Sequence, residues 1–197
     1  MRFFIALLVL LNIRVASGAE LVERIQTAAA AAQTIRMPFV QEKYLALFDE
    51  TVSTPGVIEI DRVHQRLRWE FTDRAVFVLA DGALHKWGAD GREETGLDRD
   101  PNLTALRAQM EALISGDWSA VEKFFTITTA TDAPELTLVP HDGALARYVS
   151  RLVIRFRADL SAPERLELQA SGGDVTVYRF LDPEVNVELT AARFSGP

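Results

Sequence analysis

The hexapeptide Arg66-Leu67-Arg68-Trp69-Glu70-Phe71 alternates charged and apolar residues without an error. A helix, whose side chains repeat about every 3.6 residues, scatters such a pattern around its circumference. A β-strand sorts it onto two faces. Leu67, Trp69 and Phe71 then share a dry face, and Arg66, Arg68 and Glu70 share a wet one. A strand wet on one side belongs to an antiparallel sheet rather than a doubly covered parallel one. The same period recurs along the chain. Phe39 to Phe48 reads as extended, with Thr54-Pro55-Gly56 expected to break it. Val57 to Asp61 follows, with Ile58 and Ile60 on one face. Val76 to Ala80 and Ala83 to Trp87 flank the turn signal Asp81-Gly82, and Asp90-Gly91 marks another turn. After an interruption come Glu135 to Val139 and then Val149 to Ala158. In the latter Leu152, Ile154 and Phe156 oppose Arg151, Arg155 and Arg157. Leu166 and Leu168 continue the pattern, Ser171-Gly172-Gly173 turns, Val175 to Leu181 returns, and Val185, Val187 and Leu189 give the last strand.

Two stretches depart from period two. Glu20 to Thr34 reads as a helix with the stripe Leu21, Ile25, Ala28, Ala32 and Ile35, and its run Ala28 to Ala32 is thin and strongly helix-forming. Asp100-Pro101 signals a helix start, Leu103, Leu106, Met110, Leu113 and Ile114 form its stripe, and Gly116 ends it. Ser119 to Glu122 has capping-box spacing for a short helix carrying Val121, Phe124 and Phe125. The expectation is an α+β fold. It has a single curved antiparallel sheet, unclosed and half-barrel-like, of about ten to eleven strands, with helices covering the concave apolar face. Ile58, Ile60, Leu67, Trp69, Phe71, Leu152, Ile154 and Phe156 line that face. They form either a filled core or a cavity for an apolar ligand, and periodicity does not separate the two.

Residues 1–19 read as an address, leaving 20–197 as one domain. Met1-Arg2 precedes the apolar run Phe3 to Leu11, and Ala16-Ser17-Gly18-Ala19 offers a cleavage site near residue 19. The run is short for a bilayer span, which takes about 20 residues. Without the address, 19 basic residues face 28 acidic ones, a charge of −9. So acidic a chain is a poor partner for nucleic acid. No cysteine is present, which excludes thiol nucleophiles, disulfides, Cys-based zinc sites and a lipid-modified N-terminal cysteine. His64, His85 and His141 have no partners at metal-ligand spacing. Asp98, Asp100 and Asn102 open like a calcium loop, but Leu103 stands where its glycine is needed and Gln109 where its glutamate is. No serine lies in a nucleophile-elbow context. The residues point to no catalysis, metal or cofactor, and no long exposed apolar stripe calls for an obligate dimer.

The segment Thr34-Ile35-Arg36-Met37-Pro38-Phe39-Val40-Gln41 resembles the opening of the LolA-like periplasmic lipoprotein carriers, a helix followed by a Phe-x-Gln strand. Gly56-Val57-Ile58-Glu59-Ile60, Arg66 to Phe71, the Asp81-Gly82 turn, Gly116-Asp117 and Leu136 to Pro140 continue the similarity. The resemblance implies a periplasmic carrier that is not an enzyme. It would hold acyl chains of lipoproteins, or a similar lipid, in a hydrophobic cavity beneath a helical lid. It would receive them from an inner-membrane donor complex and pass them to an outer-membrane acceptor. An interaction or sensor module of the same fold, binding a protein segment, is the other reading. The family often places an arginine six residues before the strand tryptophan as a lid tether. Here that position is Val63, and Arg62 takes the role if the turn carries one extra residue. The family's tryptophan five residues after the turn aspartate is Lys86 here, so by alternation Trp87 faces the other way.

Overall fold

A computed structural model describes residues 18–95, 107, 110–111, 114–115, 119–141 and 145–197. Eleven strands form one antiparallel sheet: β1 (Thr34–Leu45), β2 (Glu50–Asp61), β3 (Arg66–Phe71), β4 (Ala75–Ala80), β5 (Ala83–Gly88), β6 (Phe125–Thr129), β7 (Glu135–Pro140), β8 (Val149–Phe156), β9 (Pro163–Ala170), β10 (Val175–Phe180) and β11 (Glu184–Val185). The order is β5-β4-β3-β2-β1-β10-β9-β8-β7-β6, with β11 on β1 beyond the end of β10. Two meanders therefore meet at a β1–β10 seam, and the outer strands β5 and β6 do not pair, so the sheet stays open. Helix α1 (Gly18–Ala31) and the short α2 (Ser119–Glu122) accompany it, and Arg107, Met110, Glu111, Ile114 and Ser115 are helical as well.

The turns obey their chemistry. Asp81 (φ 50°) and Gly82 (φ 73°) are both left-handed, as a two-residue hairpin between β4 and β5 requires. The expected break at Thr54-Pro55-Gly56 does not occur, because β2 runs straight through it. Pro55 points its carbonyl, and so the side where its N–H would be, beyond the last β3 pair, where the carbonyl accepts from Thr72 N at 2.9 Å. No ladder donor is missed there. Gly56 stays extended, and its lack of a side chain makes room for the Phe39 ring. A Cβ at this position would fall 2.3 Å from Phe39 Cζ and 2.2 Å from the Glu70 carbonyl oxygen.

Three further expectations are corrected. Helix α1 stops at Ala31, and Thr34 and Ile35 already belong to β1, where Ile35 pairs with Ile60 and Val185. Strand pairing on both sides outweighs the helical stripe. Phe48 lies in the β1–β2 turn, so β1 ends at Leu45. The last strand has only Glu184 and Val185, and the chain beyond crosses to the other face of the sheet. There Leu189 and the buried Phe194 pack on Val76, Val78, Ala80 and Trp87. Arg68 donates to the carbonyl of Arg193 at 3.2 Å and to that of Gly196. Arg193 reaches the buried Glu59 at 2.9 Å. The expected cleavage site, the Asp98–Asn102 segment and the central helix start at Asp100-Pro101 lie outside the described residues.

Candidate functional site

Strand register sorts the concave face into rows that run across the strands. The first is aliphatic from end to end: Val185, Ile35, Ile60, Leu67, Leu79 and Leu84. The second carries Met37, Ile58, Trp69, Phe77 and Lys86. The third carries Phe180, Phe39, Gly56 and Phe71. The fourth places Tyr178 beside Gln41 and Gln41 beside Thr54. The face thus grades from aliphatic, through aromatic, to polar.

Its two ends are covered differently. Ile58, Ile60 and Leu67 are fully buried with Ala32, Met110 and Ile114 over the aliphatic end. Leu152, Ile154 and Phe156 lie in a separate cluster with Leu136 and Leu138 against Leu21, Val22 and Ile25 of α1. Trp69 and Phe71 belong to a ring system that also holds Phe39, Phe77, Tyr178 and Phe180, with neighbouring centroids 5.4 to 6.5 Å apart. Apart from Phe39, these rings are only partly buried. The eight residues read from the sequence therefore divide into three enclosed ones, three beneath α1, and two at the part-buried aromatic end. Phe39, Gln41, Phe77, Tyr178 and Phe180 were missed. Phe39 and Gln41 alternate in phase with Met37, and Phe180 with Tyr178, but only the β1–β10 pairing brings the two strands together.

Arg62 sits in the β2–β3 turn at the aliphatic end and bridges the helical segments. Its guanidinium donates to the Ala29 carbonyl at 3.0 Å, to the Ala32 carbonyl, and through Nε to the Ile114 carbonyl at 3.0 Å. The last turn of α1 has no basic residue of its own. Arg62 supplies the cation that helix-terminal carbonyls favour. Burial holds its pKa below the ordinary arginine value. The turn is braced by Asp61, which accepts from the His64 backbone N–H at 3.1 Å, and pairs with the His64 ring at 2.9 Å and with Arg66 Nη2 at 2.5 Å. Burial alone would raise the Asp61 pKa. The hydrogen bonds from Arg66 and His64, with the Arg66 charge, outweigh it and hold the carboxyl below its usual range. Lys86 lies on the concave side, 5.9 Å from the Phe77 centroid, and Trp87 is buried on the opposite face. Among the described residues no group of three potential metal ligands converges.

Over residues 25–175 the sequence matches the family described as outer membrane lipoprotein carrier protein LolA-like. The chain belongs to the LolA-like family. No curated protein matches it in sequence. Among solved structures, this LolA-like chain is similar to MucB in complex with MucA(peri), at 14% identity and TM-score 0.50, covering 92% of this chain and 60% of that one. It therefore spans less than two thirds of the length of MucB. An uncharacterized conserved protein from Thermus thermophilus shares 9% identity at TM-score 0.53, covering 89% and 91% of the two chains. A LolA superfamily protein from Nitrosomonas europaea shares 8% identity at TM-score 0.44, covering 91% and 97%. At such identities the MucB and Thermus structures speak for the fold alone.

Proposed function

We propose that this LolA-like chain is a periplasmic carrier, exported by cleavage near residue 19, that holds the acyl chains of a lipoprotein or similar lipid on its concave face. The observation that carries this reading is the coverage of that face, closed over the aliphatic end by helical segments and only part-buried at the aromatic end. Sites for apolar ligands are lined in this way, by aliphatic and aromatic side chains with a few polar groups. An acyl chain gains about 0.8 kcal/mol for each CH₂ withdrawn from water, so a face that continues the aromatic end beneath the lid would hold it firmly. Release requires that the cover move, and Arg62 is the tether that sets how readily it does. Ile58, Ile60, Leu67, Trp69 and Phe71 would line the space that a lifted lid opens. Leu152, Ile154 and Phe156 would extend it beneath α1. An inner-membrane donor and an outer-membrane acceptor complete the cycle in this proposal, with the carrier acting as a monomer and catalysing no covalent step. Purification from the native periplasm followed by mass spectrometry tests it, backed by titration with an apolar fluorescent dye. Bound lipid or acylated protein, with dye binding that saturates at one site, is the expected result. Empty protein that binds no dye would refute it. The MucB–MucA complex motivates the second reading, a module for a protein segment, and a co-purifying peptide without acyl chains would favour that one.

A further inference from the structure

Trp69 carries the one polar atom in the aromatic rows that has been withdrawn from water without compensation. Its indole Nε1 is buried and, among the described residues, has no hydrogen-bond partner. Indole N–H groups nearly always find an acceptor when buried, since an unmade bond costs the full desolvation of the donor. The neighbouring ring shows the same imbalance. Tyr178, with its centroid 5.9 Å from that of Trp69, accepts a hydrogen bond from Gln41 Nε2 at 2.5 Å. Its hydroxyl proton is given to no acceptor among the described residues. The two rings pack with Phe39, Phe71 and Phe180, and Gln41 is the polar neighbour at the Tyr178 hydroxyl. Burial also raises the Tyr178 pKa, so the hydroxyl keeps its proton.

We infer that Trp69, assisted by Tyr178, recognises the ester carbonyl of an acyl lipid through the indole N–H, so that the site selects esterified chains over bare hydrocarbon. An ester suits this surround because it brings acceptors and no donor. A hydroxyl or primary amide would bring a further donor into a place already rich in them. A carboxylate would have to shed its hydration, and the cation beside this ring system, Lys86 near Phe77, is already paired with Glu94 at 2.7 Å. The inference rests on the carrier reading above and adds to it the part of the ligand that is read.

The test uses two probes of similar length, methyl decanoate and n-dodecane, competing with an apolar dye on the full mature chain. In parallel, ¹⁵N-indole NMR follows the protein's 3 tryptophans. The Trp69 indole signal, assigned by its loss in Trp69→Phe, is expected to move downfield with the ester and to stay in place with the alkane. Trp69→Phe is expected to weaken methyl decanoate about fivefold or more while leaving dodecane within about twofold. Tyr178→Phe, which removes only the hydroxyl, should give a smaller loss in the same sense. Should the variants weaken both probes alike or neither, or the indole signal respond equally to both, the inference is overturned and the carrier reading stands. If the unaltered protein binds neither probe, both fall.

Discussion

Replacing Arg62 with leucine isolates the contribution of the lid tether. Leucine keeps the apolar start of the side chain while three donated hydrogen bonds, to the carbonyls of Ala29, Ala32 and Ile114, disappear together. A hydrogen bond to a charged group is worth roughly 1.5–3 kcal/mol, but the substitution also removes a buried cation and recovers its desolvation cost. The net loss is therefore on the order of 2–3 kcal/mol rather than the sum of three bonds. The deficit falls mainly on the attachment of the helical segments, because the sheet strands keep their ladders. Opening of α1 is then favoured roughly 30- to 150-fold, at about 1.4 kcal/mol per factor of ten. Amide hydrogen exchange reads this directly. Amides of Leu21 to Ala31 should exchange faster by about that factor, while those of β1 and β2 change far less. Equal acceleration everywhere would mean that Arg62 stabilises the whole fold. No acceleration in α1 would mean that its contacts with Leu136, Leu138 and Ile154 hold it unaided, and the tether reasoning would be wrong.

Gly56→Ala forces a Cβ into the Phe39 ring and the Glu70 carbonyl oxygen, and should cost about 2–4 kcal/mol in urea denaturation. Leu67→Glu places a carboxylate where no side-chain surface reaches solvent, so circular dichroism should report a largely unfolded chain. Phe194→Ala should cost about 3–5 kcal/mol and leave Trp87 emitting at longer wavelength, because the residue closes the cluster over the outer face. Asp61 has a folded pKa below its unfolded value, so its contribution is present above about pH 4 and is lost as pH falls through the folded value. Asp61→Asn should flatten the acid limb of a stability–pH curve measured by urea denaturation, and an unchanged limb would assign acid sensitivity elsewhere.

The strands were legible because half-wet strands announce themselves, Arg66 to Phe71 most clearly, and the Asp81-Gly82 hairpin follows from its backbone alone. Pro55 and Gly56 misled because their reading as a break assumes that every ladder position needs a donor and a side chain. Position 55 faces past the end of β3, and position 56 lies under a ring from the neighbouring strand. The eight apolar residues on the concave side were found by alternation, yet their division into enclosed, helix-covered and part-buried sets depends on what lies above each one. Arg62 could be singled out only by analogy and by allowing for turn length, since no periodicity marks an arginine whose partners are backbone carbonyls 30, 33 and 52 residues away. The aromatic end needed the β1–β10 register, a long-range fact that no local pattern holds.

That seam also sets an order of events. Gln41 and Tyr178 are 137 residues apart, whereas every other long strand of the first meander pairs with a sequence neighbour. As the chain emerges N-terminus first, the two hairpin stacks can each assemble on local contacts, and the free edge of β1 waits until β10 exists. A long waiting edge invites pairing with another copy. Pro38 blunts it at the middle, because its carbonyl, which later accepts from Leu181 N at 2.7 Å, points to that side and its N–H is missing there. The gap between β10 and β11 in the finished sheet falls at the same place. A residue that interrupts the completed ladder thus guards the unfinished one, and the zip at the centre of the sheet closes last.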